Sequence, residues 1–167
     1  MEQVIYHSPI GILRIESFDG LALDSIVFVD DTTSDDKELT GHLISSLFSK
    51  TKKQLDAYFK GALQQFHLPL HMDTGPFTLS VWRALQAIPY GATISYGELA
   101  ERVNEPKAAR AVGHANSCNP FAIVVPCHRV VGAREQLVGY RWGLERKRWL
   151  LEHEKRYSGQ TVELSLF

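Results

Sequence analysis

Cys127, His128 and Arg129 stand side by side within residues 123–131, IVVPCHRVV. They are the side chains best suited to act as nucleophile, base and cation. A thiolate is a strong nucleophile, but an ordinary thiol, with a pKa of about 8.5, is mostly protonated at neutral pH. A neighbouring base or cation corrects that, so the expectation here is an activated cysteine. Pro126 lacks an N–H and fixes its φ, which turns the chain and presents Cys127 in a set direction. The bland alternative is a small buried hydrophobe, because free cysteine packs as one. The flanking valines and isoleucine predict a buried strand.

Composition bounds what such a residue can serve. The chain has 167 residues, 44% hydrophobic and 22% charged, which is globular and long enough for one domain or two small lobes. No apolar run approaches the roughly 20 residues that span a bilayer, so no membrane partner is expected. The opening MEQVIYHSPIG has no basic segment leading into an apolar one, so no export signal is expected. Cys118 and Cys127 are then expected to be reduced thiols in the cytoplasm. No Cys/His cluster has metal spacing, so no metal or other cofactor is expected. Residues 1–69 carry 6 Lys+Arg against 10 Asp+Glu, whereas residues 70–156 carry 12 against 8, nine of the twelve being Arg. An Arg-rich excess suits phosphate contact.

The elements that must position the PCHR segment read as an α+β chain. Residues 3–7, 11–17 and 21–29 predict a three-stranded antiparallel sheet, with Asp19-Gly20 as a tight hairpin turn. The acidic tract 30–38 predicts a solvated loop. Leu39, Leu43, Ile44, Leu47, Phe48, Leu55, Tyr58 and Phe59 lie near helical spacing, with Gly61 as the stop. This first lobe, residues 1–70, carries no evident chemistry. Its histidines are read as surface or packing residues.

The second lobe, 71–156, opens with a helix over 77–87. Ser95 and Glu98 form a capping box that starts a helix reaching about Val103. A turn at Asn104–Pro106 follows. A further helix from Pro106 or Lys107 ends by Asn119-Pro120. Two short helices across a tight turn make a helix-turn-helix. In the second of them, Ala108, Ala109, Ala111, Gly113 and Ala115 leave only Lys107, Arg110 and His114 projecting. Such a bare surface suits close packing on a neighbouring helix, or close approach to a DNA groove. A last helix, LERKRWLLEHEK, is expected to turn Leu144, Trp149 and Leu150 inward. It places Glu152 and Glu154 near its end, where the helix dipole disfavours acids unless they have a partner. Residues 157–167 are expected to form a loose tail.

ISYGELA at 94–100, PKAARAVG at 106–113, Asn119-Pro120, VPCHRVV at 125–131 and GYRWG at 139–143 resemble, in content and order, the O6-alkylguanine-DNA alkyltransferases, with GYRWG closest to the bacterial branch. The resemblance is dense over 77–156. It implies a ribonuclease H-like first lobe, and a helical second lobe that binds double-stranded DNA through the minor groove and flips out an alkylated guanine. The protein is then a monomer that transfers the alkyl group irreversibly to Cys127, once per molecule. By position, His128 activates Cys127 through a water, Glu154 orients His128, and Asn119 braces the turn. Arg110 fills the gap in the base stack, and Lys107 and Ala109 lie along the DNA. Tyr96 meets the rotated phosphate and base, and Val130, Tyr140, Arg141 and Trp142 line the base pocket. Arg141 and Trp142 are bulky where many members have small residues. Lesion-binding relatives without activity carry tryptophan in place of the acceptor, so Cys127 puts this chain on the reactive side. The competing reading is a helix-turn-helix protein that binds lesions without reacting.

Overall fold

In the computed structural model, residues 1–32, 37–38 and 45–159 are described. They form two compact units, Met1–Met72 and Asp73–Ser158.

The first unit is built on β1 (Glu2–Ser8), β2 (Gly11–Ser17) and β3 (Ser25–Val29), all antiparallel. A two-residue strand, β4 (Lys37–Glu38), extends the sheet parallel to β1 and gives the order β3-β2-β1-β4. This strand falls within the tract expected to be loop. The Asp19-Gly20 hairpin is also longer than expected. Glu16 pairs with Ser25, and the carboxylate of Asp19 accepts from the N–H groups of Leu21 (2.8 Å) and Ala22 (3.3 Å). That local turn, together with a bridge from Leu23 to Leu70, removes 21–24 from the third strand. Alternate residues Leu13 and Ile15 point into a core that also buries Leu47, Phe48, Leu55 and Tyr58 of α1 (Ser46–Phe59). Ser45 caps α1 and Gly61, at φ +75°, follows its end. Leu39, His42, Leu43 and Ile44 lie outside the described residues, as does the tail from 160.

The second unit holds α2 (Pro76–Gln86), α3 (Tyr96–Arg102), α4 (Ala109–Ser117) and α5 (Leu144–Tyr157). Pro76 occupies the first turn of α2, where its missing N–H costs nothing. The capping box of α3 forms as expected, Ser95 Oγ accepting from Glu98 N and Glu98 from Ser95 N. Asn104 sits at φ +59° in the turn. α4 begins two to three residues later than expected, which leaves Lys107 and Ala108 ahead of it. Its small residues divide between the two uses. Val112 and Ala115 are buried, and the Ala115 carbonyl accepts from Trp82 Nε1 on α2 at 2.9 Å. Ala109, Arg110 and Ala111 face solvent. On α5, Leu150 is buried but Leu144 is 41% exposed, contrary to expectation, because it sits at the helix start just after Gly143. Among the described residues, no helix is long and apolar enough to cross a membrane.

Candidate active site

The stretch 121–131 is buried throughout, yet it is not a strand. Only β6 (Val130–Val131) pairs, in parallel, with the equally short β5 (Ile94–Ser95). Ahead of it the chain coils through Ile123 at φ +71° and into a single 3-10 turn, Cys127–Arg129. A buried backbone without a partner strand must find its hydrogen bonds elsewhere. Asn119 supplies them. Its Nδ2 donates to the carbonyls of Val125 (2.8 Å) and Phe121 (3.4 Å), and its Oδ1 accepts from Phe121 N (2.9 Å). Asn119→Ala therefore leaves buried backbone groups unpaired. It is expected to lower stability by about 1–3 kcal/mol in urea denaturation and to loosen the turn that presents Cys127.

Cys127 heads that turn at 3% exposure. Burial pushes its thiol up to about 11, against the opposing pull of the Asn119 amide, Lys147 and Arg141. The expectation that neighbouring cations yield a resting thiolate is therefore wrong: desolvation outweighs them. The neighbours of a 3-10 turn project about 120° apart, so Cys127 and His128 do not point the same way. That conclusion was expected from an extended segment and holds here for a different geometric reason.

His128 is wholly buried, and burial holds it below its ordinary value despite the nearby Glu154. Its Nε2 lies 2.7 Å from Glu154 Oε1. Glu154 sits well below the usual carboxylate range: although burial opposes ionisation, His128 and Arg129 together overcome it. With the carboxylate ionised, Nε2 must carry the proton and donate. That leaves Nδ1 as the basic atom, and it is buried without a hydrogen-bond partner among the described residues. The acid near the end of α5 thus has its partner, whereas Glu152 is exposed. Glu154 also accepts from Gly91 N at 3.3 Å. Gly91 has φ +78°, and a side chain there would press on Ser158, with Cβ atoms 2.5 Å apart.

Around the thiol stand Tyr96, Tyr140 and Arg141. The phenols of Tyr96 and Tyr140 are both raised, first by burial and then by the charge that Cys127 can carry. Tyr96 donates weakly to the Val138 carbonyl (3.4 Å) and its ring lies over Gly113 of α4. Tyr140 Oη is buried with no partner among the described residues, and its ring meets Trp142 edge-on at 5.4 Å. Arg141 lies over Trp142 and donates to the Asn119 carbonyl (3.3 Å). Val130 is buried beside them. Arg110, Lys107 and Ala109 are on the exposed side of the helix-turn-helix, separate from this cluster.

Sequence reasoning missed Lys147. It is 0% exposed, and its Nζ donates to the carbonyls of Val130 (2.6 Å), Gly139 (3.0 Å) and Val138 (3.5 Å), which ties the pocket loop to β6. Burial lowers its ammonium to about 8, with Cys127 opposing. The available signal was its spacing: 147, 150 and 154 share one face of α5. No group of three or more metal-ligating side chains is assembled among the described residues.

A buried thiol backed by a His–carboxylate pair, beside an exposed Arg-bearing helix-turn-helix, defines a protein that does nucleophilic chemistry next to a nucleic-acid-binding surface. Residues 76–156 match the DNA binding domain of 6-O-methylguanine DNA methyltransferase and residues 3–72 its ribonuclease-like domain. The chain belongs to the 6-O-methylguanine DNA methyltransferase family. It is 48% identical over 158 residues, 94% of each chain, to the methylated-DNA--protein-cysteine methyltransferase of Mycolicibacterium paratuberculosis. The protein of that name from Methanosarcina acetivorans is 42% identical, over 92% of this chain and 98% of that one. Mycobacterium tuberculosis OGT, solved in complex with DNA, superposes with TM-score 0.82 at 42% identity, over 94% of each chain.

Proposed function

We propose that this protein repairs DNA by direct reversal, moving a methyl group from O6 of guanine to Cys127. The observation that carries the reading is the buried Cys127 with the His128–Glu154 pair behind it, in a chain of this family. The thiol proton passes to His128 Nδ1 through a water. The sulfur then attacks the methyl carbon, the C–O6 bond breaks, and its electron pair stays on guanine. Guanine takes up one proton at N1. The overall exchange is a methyl group to sulfur and a proton to guanine, with no cofactor and no step that restores the thiol. In this reading residues 71–156 carry both DNA contact and acceptor chemistry, residues 1–70 are structural, and the protein acts as a cytoplasmic monomer.

DNA is approached by the exposed side of α4 from the minor groove. Lys107 and Ala109 lie along the backbone, and Arg110 occupies the gap left by the flipped nucleotide. Val130, Tyr140, Arg141 and Trp142 enclose the base, with Tyr96 over it. Flipping costs a few kcal/mol in a duplex and little in a single strand, and each 1.4 kcal/mol is tenfold. Arg110→Ala is therefore expected to slow transfer from duplex DNA about tenfold or more, while transfer from a single strand stays within about threefold. Single-turnover assays on both substrates check this.

The test of the whole reading is intact mass after incubation with a duplex carrying one O6-methylguanine. One methyl group per molecule is expected, located on Cys127 by fragmenting the tryptic peptide from Ala111 to Arg129, which also holds Cys118. Binding without any gain in mass would favour the non-reactive lesion-binding reading. Release beyond one equivalent would mean true turnover and would overturn the mechanism.

A further inference from the structure

Arg129 adjoins the acceptor and has no place in the proton path above, yet it is only 6% exposed and fully engaged. Its Nε donates to Glu154 Oε2 at 2.8 Å and its Nη2 to Oε1 at 3.0 Å. Nη1 donates to the Ile88 carbonyl at 2.7 Å, and the guanidinium lies over the Tyr90 ring, 5.6 Å from its centre. Oε1 is the same oxygen that His128 Nε2 meets. The carboxylate is therefore shared between an imidazole and a guanidinium.

This sharing bears on what His128 can do. An unpaired carboxylate at 2.7 Å in a buried site draws a second proton onto an imidazole, because Coulomb attraction is strong where water is excluded. An imidazolium has no lone pair and accepts nothing. A bidentate Arg–carboxylate pair presents no net charge. The charged groups acting on His128 are Glu154 and Lys147 from α5 and Arg129 from its own turn. Tyr90, from the turn before Gly91, faces Arg129 and Glu154, and Cys127 is a neutral thiol at rest. With Glu154 ionised and Arg129 and Lys147 protonated, the surroundings are net positive and resist a charge on His128.

We propose that Arg129 is a positioning residue for the proton transfer: by pairing with both oxygens of Glu154 it leaves His128 oriented but neutral, with Nδ1 open to the thiol proton. The inference deepens the reading of Cys127 as methyl acceptor and rests on it. It also explains the return step. An imidazolium formed in net-positive surroundings is a ready donor, so the proton moves on to the departing guanine.

The test is His128 ring titration by nitrogen-15 NMR, alongside the pH dependence of single-turnover methyl transfer, in the wild-type protein, Arg129→Gln and Arg129→Lys. The wild-type His128 is expected to be neutral at pH 7, with its proton on Nε2. Arg129→Gln should raise its midpoint by about one pH unit or more and carry the acid limb of the rate with it. Transfer at pH 6 then falls about tenfold while transfer at pH 9 stays within about threefold. Arg129→Lys, which keeps a charge but reaches fewer oxygens, should shift both in the same direction by less. A wild-type imidazolium at pH 7 overturns the proposal without need of any variant. So does an unmoved acid limb in a folded variant, or a rate loss equal at all pH values, which would mark a merely structural role. Absence of methyl transfer by the wild-type protein would instead overturn the acceptor reading, and it is read separately from the titration.

Discussion

Cys127→Ser protein, mixed with duplex DNA carrying O6-methylguanine, is expected to bind the DNA and keep its unmodified mass. The oxygen occupies nearly the same place, so pocket and DNA surface are retained. An alcohol, however, is far harder to ionise than a thiol and a much weaker nucleophile toward saturated carbon. Even the thiol, at about 11, depends on His128 to remove its proton. Removing a catalytic nucleophile typically costs on the order of 10⁶ in rate, so no transfer should be seen on the time scale of the wild-type reaction. The control is Cys118→Ser. Cys118 is exposed at the end of α4, its sulfur 3.5 Å from His114 Nε2, and the methyl count should stay at one without it. Intact mass and gel-shift affinity, measured on the same samples, separate loss of chemistry from loss of binding.

Glu154→Ala is expected to damage stability and reaction together. The carboxylate is wholly buried and holds His128, Arg129 and the Gly91 turn at once. Deleting it leaves a buried guanidinium uncompensated, which typically costs about 3–5 kcal/mol. It also removes the acceptor that fixes the His128 tautomer, and general-base catalysis of this kind is worth about 10²–10⁴ in rate. Acid gives an independent check. Glu154 is held below its ordinary value in the folded state, so its contribution is full above the unfolded value of about 4.3 and is lost as pH falls through the folded one. His128 is also held low, so the unfolded chain takes up its proton first and stability declines as pH drops below about 6.5. The two effects have the same sign. Wild-type stability should fall steadily on acidification, and Glu154→Gln should keep the decline near pH 6 while losing the part below pH 4. Urea midpoints measured across pH test both halves.

How much of this was legible depends on how local each signal is. The capping box at Ser95–Glu98 and the stop at Gly61 are fixed within one turn of chain, and both form as read. The three antiparallel strands follow from alternation and turn residues. Residues 123–131 did not form the expected strand, because an all-apolar run specifies burial and not backbone conformation. The deciding partner is the Asn119 side chain, whose bracing role came from family resemblance and not from periodicity. β4 was hidden in an acidic tract, since two residues on a sheet edge leave no pattern. Glu154 drew notice only as an acid at the wrong end of a helix. Its sharing between His128 and Arg129 is a property of three-dimensional placement, as is the burial of Lys147 against three carbonyls. The resting state of Cys127 was misjudged for the same reason: sequence shows which charges are adjacent, but not how much water has been removed.

The depth of Cys127 also bears on the protein's endurance between encounters with damage. Peroxides and soluble electrophiles consume thiolates that they can reach. Cys127 is neither ionised nor in view, while Cys118 is open to solvent and meets such reagents first. An enzyme that cycles can lose part of its population and make up the difference by turning over faster. A molecule spent by its single reaction has no such reserve, so the number of lesions a cell can clear equals the number of acceptors still intact. Keeping the sulfur dormant until a base is delivered to it preserves that number during the wait.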